Sequence, residues 1–314
     1  MSSLRKLVED FRKNQAAGQM PVTEKLPYPW EADLPAGAVV ADQSSLLVRG
    51  AAGSIRLFEE KIFSNPGSEL GDITYYLYDP TLHGFPAGGN YPISVWLHGL
   101  ACGAMGKINI PMTGAGTFAS DKYQQELGGM YIIVPIANEF VEPWCEKYVD
   151  PLTKLIAQER EALGTSGKLI LCGTSMGGRM ITHLLESNLE ITDGVFWMSP
   201  ALLPDRETVE RYGKAGLHMW LLWGLHDEVI TSPEMIFPNG PEEYRDIPNL
   251  DLTLLEWVYN GDGSIASSQG YGQEQGQHAT NLQAIRNYIR EDGTPDDPLH
   301  PMGLSGWMLD VLKK

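Results

Sequence analysis

Residues 168–180, KLILCGTSMGGRM, form the stretch that decides the fold. An apolar run at 169–172 stops at Gly173, and a helix-like pattern begins within a few residues. Between the two stands one hydroxyl, Ser175, in the pattern G-x-S-x-G. A strand that turns at once into a helix, with a serine at the corner, is the setting of a nucleophile elbow. We therefore predict that Ser175 is presented at the carboxyl edge of a buried strand.

The glycines beside Ser175 have a steric role in this prediction. At an elbow the serine takes a strained backbone conformation, and Gly173 and Gly177 leave room for the chain to fold past itself. The N-terminus of the following helix lies behind the hydroxyl and favours developing negative charge there. A simple glycine-rich turn between a strand and a helix is the plainer alternative.

Apolar strand-like runs alternate with helix-like segments from residue 54 onward. Segments 54–63 and 73–79 predict an antiparallel pair of strands. Six later runs are short and mostly continuous in their apolar character, which are features of strands buried on both faces of a parallel sheet. They lie at 93–99, 130–137, 168–175, 194–199, 218–224 and 250–259. Segments 151–163 and 178–188 suit the covering helices.

These runs predict one α/β domain over residues 51–314, with a mostly parallel central sheet flanked by helices and antiparallel first strands. The longest interruption between late strands, 231–249, is too short for a large lid domain. Residues 1–50 lie outside the pattern. They predict an amphipathic helix over 1–17 and a proline-rich arm over 18–36. This N-terminal extension is a candidate for docking on the domain or on a second subunit, which would make a homo-oligomer.

Composition excludes several classes of partner. The 314 residues carry a formal charge of -17, which argues against nucleic acid or an anionic membrane as the main partner. No segment approaches the roughly 18–20 apolar residues that cross a bilayer, and the N-terminus has no run of signal-peptide type. Cys102, Cys145 and Cys172 are far apart, as free thiols would be. We predict a cytoplasmic location.

A serine hydroxyl becomes a nucleophile only when a base takes its proton. At an elbow of this kind, the acid and then the histidine follow the serine along the chain. Asp227 comes just after the strand at 218–224, and His278 comes after the last strand and before a helix-like segment. We predict that these two complete the site. Glu228 is the alternative acid, and His300 is the alternative base.

Acyl transfer also needs N–H donors aimed at the carbonyl oxygen, where negative charge develops. The backbone N–H of Met176, the residue after the nucleophile, is the first predicted donor. The second is predicted in the loop HGLACGAMG (98–106), from the N–H of Leu100 or Ala101. His98 is predicted to orient that loop.

The order of these motifs resembles the α/β-hydrolase fold: an HG loop after the third strand, G-x-S-x-G after the fifth, an acid after the seventh and a histidine after the eighth. The combination HGL…GTSMGG is similar to the esterase branch that includes feruloyl esterases, esterase D-like enzymes and peptidase-like relatives. The resemblance spans about residues 54–292. It implies a cofactor-free enzyme with Ser175 as nucleophile, His278 as general base and Asp227 as its orienter. It also implies Leu100 and Met176 as oxyanion donors.

The expected substrate is a small carboxylic ester, with cinnamoyl- or feruloyl-type aromatic esters among the candidates. Phe140 and Trp144 follow a strand end and are candidates for stacking an aromatic acyl group. Ala101 and His226 are further candidate pocket residues. A peptidase or an acyltransferase with the same triad, and a non-catalytic binding module of the same fold, are the alternative functions.

Two other enzyme classes have little support in the sequence. TGAGTFA (113–119) offers Gly114, Gly116 and Ala119 in the G-x-G-x-x-A spacing of a dinucleotide-binding turn, but Pro111 stands where a central strand should lead in. A metal enzyme is not indicated, because the chain has no HExxH and no cysteine pair of ligand spacing. We therefore predict no metal.

Overall fold

The computed structural model describes residues 28–42, 53–100, 102–139, 142–230, 232–270 and 273–313. The strands are β1 (Val40–Asp42), β2 (Glu59–Phe63), β3 (Ile73–Tyr78), β4 (Ile93–Leu97), β5 (Tyr131–Pro135), β6 (Leu169–Thr174), β7 (Gly194–Met198), β8 (His218–Gly224), β9 (Leu250–Leu255), β10 (Ile265–Ser267), β11 (Gln269–Gly270) and β12 (Gln273–Glu274).

The α-helices are α1 (Asn109–Met112), α2 (Ala115–Phe118), α3 (Asp121–Leu127), α4 (Val149–Ala162), α5 (Met176–Ser187), α6 (Arg206–Lys214) and α7 (Gly303–Lys313). Two longer 3₁₀ helices lie at Cys102–Ile108 and Thr280–Arg286. Shorter ones lie at Glu31–Asp33, Ile55–Leu57, Pro80–His83, Glu146–Tyr148, Leu189–Ile191, Pro233–Met235 and Pro241–Tyr244.

Eight strands form the central sheet in the order β2-β3-β5-β4-β6-β7-β8-β9. The β2–β3 and β3–β5 pairs are antiparallel, and every other pair is parallel. The predicted α/β class, with antiparallel first strands, is confirmed. The chain runs from β4 outward to β5 and returns to β6 on the other side of β4. The loops after β4 and β6 therefore leave the sheet side by side, where α/β proteins place their ligand sites.

Alternation along the buried strands divides the core into two layers. In β6, Leu169 and Leu171 belong to the core on one face of the sheet, whereas Ile170 and Cys172 belong to the core on the other face. Every residue of β4, β5, β6 and β7 is buried. This double burial explains why these strands are continuously apolar in sequence.

Some boundaries differ from the predicted ones. Strand β2 begins at Glu59 because residues Ile55–Leu57 form a 3₁₀ turn, and β9 ends at Leu255. The helix predicted after His278 is the 3₁₀ helix Thr280–Arg286. The described part of segment 231–249 contains two short 3₁₀ helices, so it forms no separate lid domain.

The described part of the N-terminal extension, residues 28–42, packs on the domain. Trp30 is buried and lies edge-on to Trp257, with ring centroids 5.6 Å apart. Strand β1 pairs in parallel with β10. Residues Glu31–Asp33 form a 3₁₀ turn where an extended arm was expected. The helix predicted over 1–17 lies outside the described residues.

Candidate active site

Ser175 occupies a sharp corner between β6 and α5. Its backbone lies at φ 53° and ψ -114°, a conformation that costs a non-glycine residue on the order of 1–3 kcal/mol. The glycines allow the chain to approach itself here. A Cβ on Gly173 would collide with the carbonyl of Gly177, and a Cβ on Gly177 would collide with the carbonyl of Leu97. The two glycines of the G-x-S-x-G pattern are therefore a steric requirement of this corner.

Neighbouring backbone groups hold Ser175 in this conformation. Its N–H donates to the carbonyl of Met198 at 3.0 Å, which continues the pairing of β6 with β7. Its carbonyl accepts the N–H of Ala201 at 2.9 Å and that of Arg179, one helical turn onward, at 3.1 Å. Ser175 as a whole is 8% exposed. The strain is thus fixed by surrounding hydrogen bonds, and the residue stays at the edge of the sheet.

His278 and Asp227, which come from different loops, meet in a short hydrogen bond. The distance from His278 Nδ1 to Asp227 Oδ2 is 2.7 Å. The other carboxylate oxygen accepts the backbone N–H groups of Val229 and Ile230 at 2.9 and 2.8 Å. An ionised carboxylate can only accept, so the proton lies on Nδ1 and Nε2 is left with its lone pair. The imidazole is therefore set up to act as a base through Nε2.

The charges of this pair favour an ionised Asp227 and a basic His278. Burial acts to raise the pKa of Asp227, but His278 and the N–H groups of Ile230 and Val229 outweigh it and hold that pKa below its ordinary value. Burial acts to lower the pKa of His278, but the carboxylates of Asp227 and Glu228 outweigh it and raise that pKa.

Glu228, the alternative acid, does not contact the imidazole through a hydrogen bond. Its Oε1 accepts the backbone N–H of Gln277 at 2.9 Å, and its Oε2 is buried without a partner among the described residues. Burial, with Asp227 and Glu274 nearby, raises the pKa of Glu228 to about 7. The carboxylate that orients His278 is therefore that of Asp227.

His300, the alternative base, lies against the core. Its ring centroid is 3.9 Å from that of Trp220, and its Nε2 is 3.7 Å from Asp251 Oδ2. It is not among the described residues that line the cavity beside Ser175. His278 does line that cavity, so the structure brings His278 and Asp227, rather than His300, to the serine corner.

The loop after β4 is anchored by a buried neutral histidine. The Nδ1–H of His98 donates to the carbonyl of Gly99 at 2.8 Å, and its Nε2 accepts the N–H of Ala137 at 3.0 Å. Burial lowers the pKa of His98 to about 4, so the ring stays uncharged at neutral pH. The loop beyond it carries Leu100, a predicted oxyanion donor.

The two predicted oxyanion donors belong to the loop after β4 and to the first turn of α5. Leu100 lines the cavity that contains Ser175. Met176 is the first residue of α5, a position whose N–H has no partner within a helix. Ala101 lies outside the described residues. The arrangement leaves the Met176 N–H available at a helix N-terminus, where negative charge is stabilised.

Ser175 and His278 open into one cavity of about 220 Å³. Its described lining is mostly uncharged, and apart from two histidines it carries no aromatic side chain. The lining residues are His98, Gly99, Leu100, Cys102, Met105, Asn109, Met112, Thr113, Thr174, Ser175, Val229, Gln275, His278, Ala279, Asn281 and Leu282. The sequence had not pointed to the segment 102–113 as cavity wall, and the only available signal was its position after the HG loop.

Two of the predicted pocket residues lie elsewhere. Trp144 is fully buried, and its indole N–H donates to the carbonyl of His98 at 2.8 Å, so it supports the loop from behind. His226 stacks on Trp257, with ring centroids 3.9 Å apart, and does not line the cavity. Neither side chain lines the cavity, because proximity to the sheet edge does not fix the direction of a side chain. Phe140 lies outside the described residues.

The G-x-G-x-x-A segment packs two short helices together. Gly114 lies between α1 and α2 at φ 92°, and a Cβ there would collide with Ala284. A helix, not a strand, precedes it, so the segment lacks the context of a dinucleotide-binding turn. Within the described ranges, no three His, Cys, Asp or Glu side chains are grouped to hold a metal ion, and no helix is long and apolar enough to cross a membrane.

Comparisons with known proteins find likeness in structure only. No protein-family model matches the sequence, and no curated protein matches it. A thermostable esterase superposes with a TM-score of 0.55 at 18% identity, over 74% of this chain and 60% of that chain, so this chain spans three fifths of that esterase's length.

Two further solved structures are less similar. A ferric enterobactin esterase from Salmonella typhimurium gives a TM-score of 0.46 at 15% identity, over 73% of this chain and 57% of that chain. A serine hydrolase without a lid from Xanthomonas campestris gives 0.42 at 14%, over 63% and 84%. Taken with the strand order, the likeness to the thermostable esterase shows that this chain has the α/β-hydrolase fold.

Proposed function

We propose that the protein is a serine hydrolase of small carboxylic esters that works through an acyl-enzyme on Ser175. The observation that carries this proposal is the placement of the strained Ser175 and the Asp227-bound His278 in the wall of one cavity. The fold itself needs neither a serine in a strained backbone conformation nor an oriented imidazole beside it. The combination is what nucleophilic catalysis requires.

In the first half-reaction, Ser175 Oγ attacks the ester carbonyl while His278 Nε2 takes its proton. The carboxylate of Asp227 stabilises the imidazolium that forms. The backbone N–H groups of Met176 and Leu100 donate to the oxyanion. Removing one such donor typically costs about 10²–10³ in kcat. When the intermediate collapses, the alcohol leaves with the proton from His278.

In the second half-reaction, water replaces the alcohol. His278 takes a proton from the water as its oxygen attacks the acyl carbonyl, and the resulting tetrahedral intermediate again places its negative oxygen at the Met176 and Leu100 N–H groups. Collapse releases the carboxylic acid and returns the proton to Ser175 Oγ. The same residues therefore serve both steps, and kinetics with two substrates in sequence should show the ping-pong pattern.

The cavity favours a small, uncharged acyl group. Its volume of about 220 Å³ lies below the roughly 300–1,000 Å³ of pockets that hold drug-sized ligands. Leu100, Met105, Met112 and Leu282 supply aliphatic and thioether surface. An aromatic acyl group would find no stacking partner among the described lining side chains other than histidine. Short aliphatic esters are therefore proposed ahead of cinnamoyl or feruloyl esters.

Reaction with a fluorophosphonate, followed by intact mass, tests the proposal. We expect one adduct on the wild type and none on Ser175→Ala, with hydrolysis of short-chain nitrophenyl esters lost in parallel. Ser187→Ala, on the exposed end of the same helix, is the matched control and should be labelled like the wild type. A folded wild type with neither adduct nor ester turnover would overturn the proposal and favour a non-catalytic binding module.

A further inference from the structure

Segment 28–42 does not line the described cavity and has no part in the proposed reaction. Its Trp30 forms a small core with Trp257 and Ile265, apart from the two cores that cover the faces of the sheet. Four partly buried residues pack around this small core, and three of them come from the segment. They are Tyr28, Leu34, Val40 and Tyr259. The segment therefore supplies more than half of this third core.

A row of aromatic rings leads from the N-terminal extension to the loop of Asp227. The rings of Tyr28 and Trp30 are stacked with their centroids 4.5 Å apart, and the ring of Trp30 meets that of Trp257 edge-on at 5.6 Å. Trp257 is in turn stacked on His226 at 3.9 Å. Any aromatic ring at position 257 can provide this stacking face. His226 directly precedes Asp227, so the row ends beside the proposed acid.

A second route from the extension passes through β1 and β10. The two strands pair over three residues, and the N–H of Ile265 donates to the carbonyl of Val39 at 2.7 Å. The side-chain amide of Asn260 donates to the carbonyl of Ala41 at 3.0 Å. A two-stranded ribbon has little stability of its own, so β10 relies on β1 and on the small core around it.

The loop of His278 rests on β10. Gln277, the residue before His278, is completely buried, and its side-chain amide donates to the carbonyl of Ala266 in β10 at 2.8 Å. The same amide accepts the N–H of Val258 at 2.8 Å. A Cβ on Gly276 would collide with the carbonyl of Ala266, so the backbone of the loop contacts the strand directly. The position of β10 therefore determines the position of this loop.

We propose that segment 28–42 is a positioning element of the active site, which holds the loops of Asp227 and His278 so that the imidazole and the carboxylate keep their 2.7 Å contact. This inference rests on the proposed esterase function. The two routes are independent, and each ends on the residue that immediately precedes one member of the pair. Such contacts matter for rate, because a misplacement of about 1 Å can cost about 10²-fold.

Trp30→Leu tests this inference in the full chain. The change removes the ring that meets Trp257 and keeps an apolar side chain. We expect kcat for a short-chain ester to fall by up to about 10²-fold. KM should change little, because the segment does not line the described cavity. Trp30→Phe keeps an aromatic ring and should recover most of the lost activity.

The pH dependence separates positioning from a general loss of packing. Asp227 and Glu228 are the charged groups that raise the pKa of His278. If Trp30→Leu loosens the contact with Asp227, that pKa should fall toward its ordinary 6.5, and the acid limb of kcat/KM should move to lower pH. The NMR signals of the His278 ring, assigned with His278→Gln, report the same change without a substrate.

Trp307→Leu is the matched control. Trp307 is also a buried tryptophan, but its ring lies beside Gly194 at the amino end of β7, the opposite edge of the sheet from the serine corner. The change should lower the free energy of unfolding without moving the acid limb or the histidine titration. Should Trp30→Leu fail to fold, Tyr28→Leu takes its place, because it removes only the ring stacked on Trp30.

Two results would overturn the inference and leave the esterase function intact. One is an acid limb and a His278 titration that are unchanged in Trp30→Leu. The other is a shift of equal size in Trp307→Leu. If the wild type hydrolyses no ester and forms no fluorophosphonate adduct, the proposed function itself fails, and the His278 titration still shows whether the segment holds the pair together.

Discussion

Glu228 accepts the backbone N–H of Gln277 at 2.9 Å, so the residue after the proposed acid holds the residue before the proposed base. This bond ties the loop after β8 to the loop that carries His278. It does so with a carboxyl group whose second oxygen is buried and unpaired among the described residues. The loop is thus positioned by a group that burial disfavours in its charged form.

Glu228→Gln should stabilise the protein above neutral pH. The pKa of this carboxyl rises from its ordinary 4.5 to about 7 in the folded protein. The folded state therefore keeps the proton longer, and the free energy of unfolding falls as pH rises from about 4.5 to about 7. Glutamine can still accept from Gln277 and does not ionise, so the gain should reach at most about 3 kcal/mol above pH 7, at about 1.4 kcal/mol per pKa unit.

Urea unfolding of wild type and Glu228→Gln at pH 5 and pH 8 measures this gain. The difference between the two proteins should be small at pH 5 and large at pH 8. Glu234→Gln, which changes an exposed carboxyl, is the control and should show no such trend. A Glu228→Gln protein that loses stability equally at both pH values would show that the charged form is the one the fold requires.

Asp227→Asn should lower activity and move its pH dependence. The neutral form of His278 is the proposed base, and its raised pKa places the acid limb of kcat/KM above pH 6.5. Without the carboxylate, burial dominates and the pKa of His278 falls, so the acid limb should move to lower pH. The equivalent change in the serine-protease triad costs about 10⁴ in kcat. Pre-steady-state and steady-state rates from pH 5 to 9 would show both effects, whereas an unchanged profile would contradict the assignment of Asp227.

Ser175→Gly should gain stability as it loses activity. Glycine adopts φ 53° without strain, so the variant should be more stable by about 1 kcal/mol, allowing for glycine's greater flexibility when unfolded. Activity should fall by several orders of magnitude because the proposed nucleophile is removed. Ser175→Ala keeps the strained φ and is the control. It should lose as much activity as Ser175→Gly but should not gain stability. Thermal and urea unfolding give the comparison, and a destabilised Ser175→Gly would mean that the corner is not strained.

Trp144→Phe should reduce activity although Trp144 lies outside the cavity. The change removes the indole N–H that donates to the carbonyl of His98 and leaves that carbonyl without this donor. The free energy of unfolding should fall by about 1–3 kcal/mol. We expect kcat to fall more than KM rises, because the loop carries Leu100, a proposed oxyanion donor. Trp257→Phe is the matched control, since its buried indole nitrogen has no partner in the described chain. An equal effect of the two changes would point to lost packing instead.

The strands and the serine corner could be predicted because their signals are local. Double burial makes β4 to β7 continuously apolar. The close approaches of Gly173 to Gly177 and of Gly177 to Leu97 require glycine at positions 173 and 177. The positions of Asp227 and His278 followed from chain order at the same sheet edge. Their pairing is now seen as a 2.7 Å contact, while their catalytic roles stay a proposal.

The cavity wall could not be predicted, because it depends on side-chain direction and on segments far apart in sequence. Trp144 and His226 lie near the active edge but turn toward His98 and Trp257. Only the packing of 102–113 against 275–282 brings these parts of the wall together.

The pairing of β1 with β10 bears on how the protein is made. Val40 pairs with Ile265, more than two hundred residues further along the chain, and His278 follows shortly after. During synthesis, Ser175 leaves the ribosome long before the strand that completes this pairing and before the imidazole that would take its proton. A nascent chain that ends before residue 278 therefore carries the proposed nucleophile without its proposed base. The proposed hydrolytic activity is therefore acquired only after His278 has been synthesised.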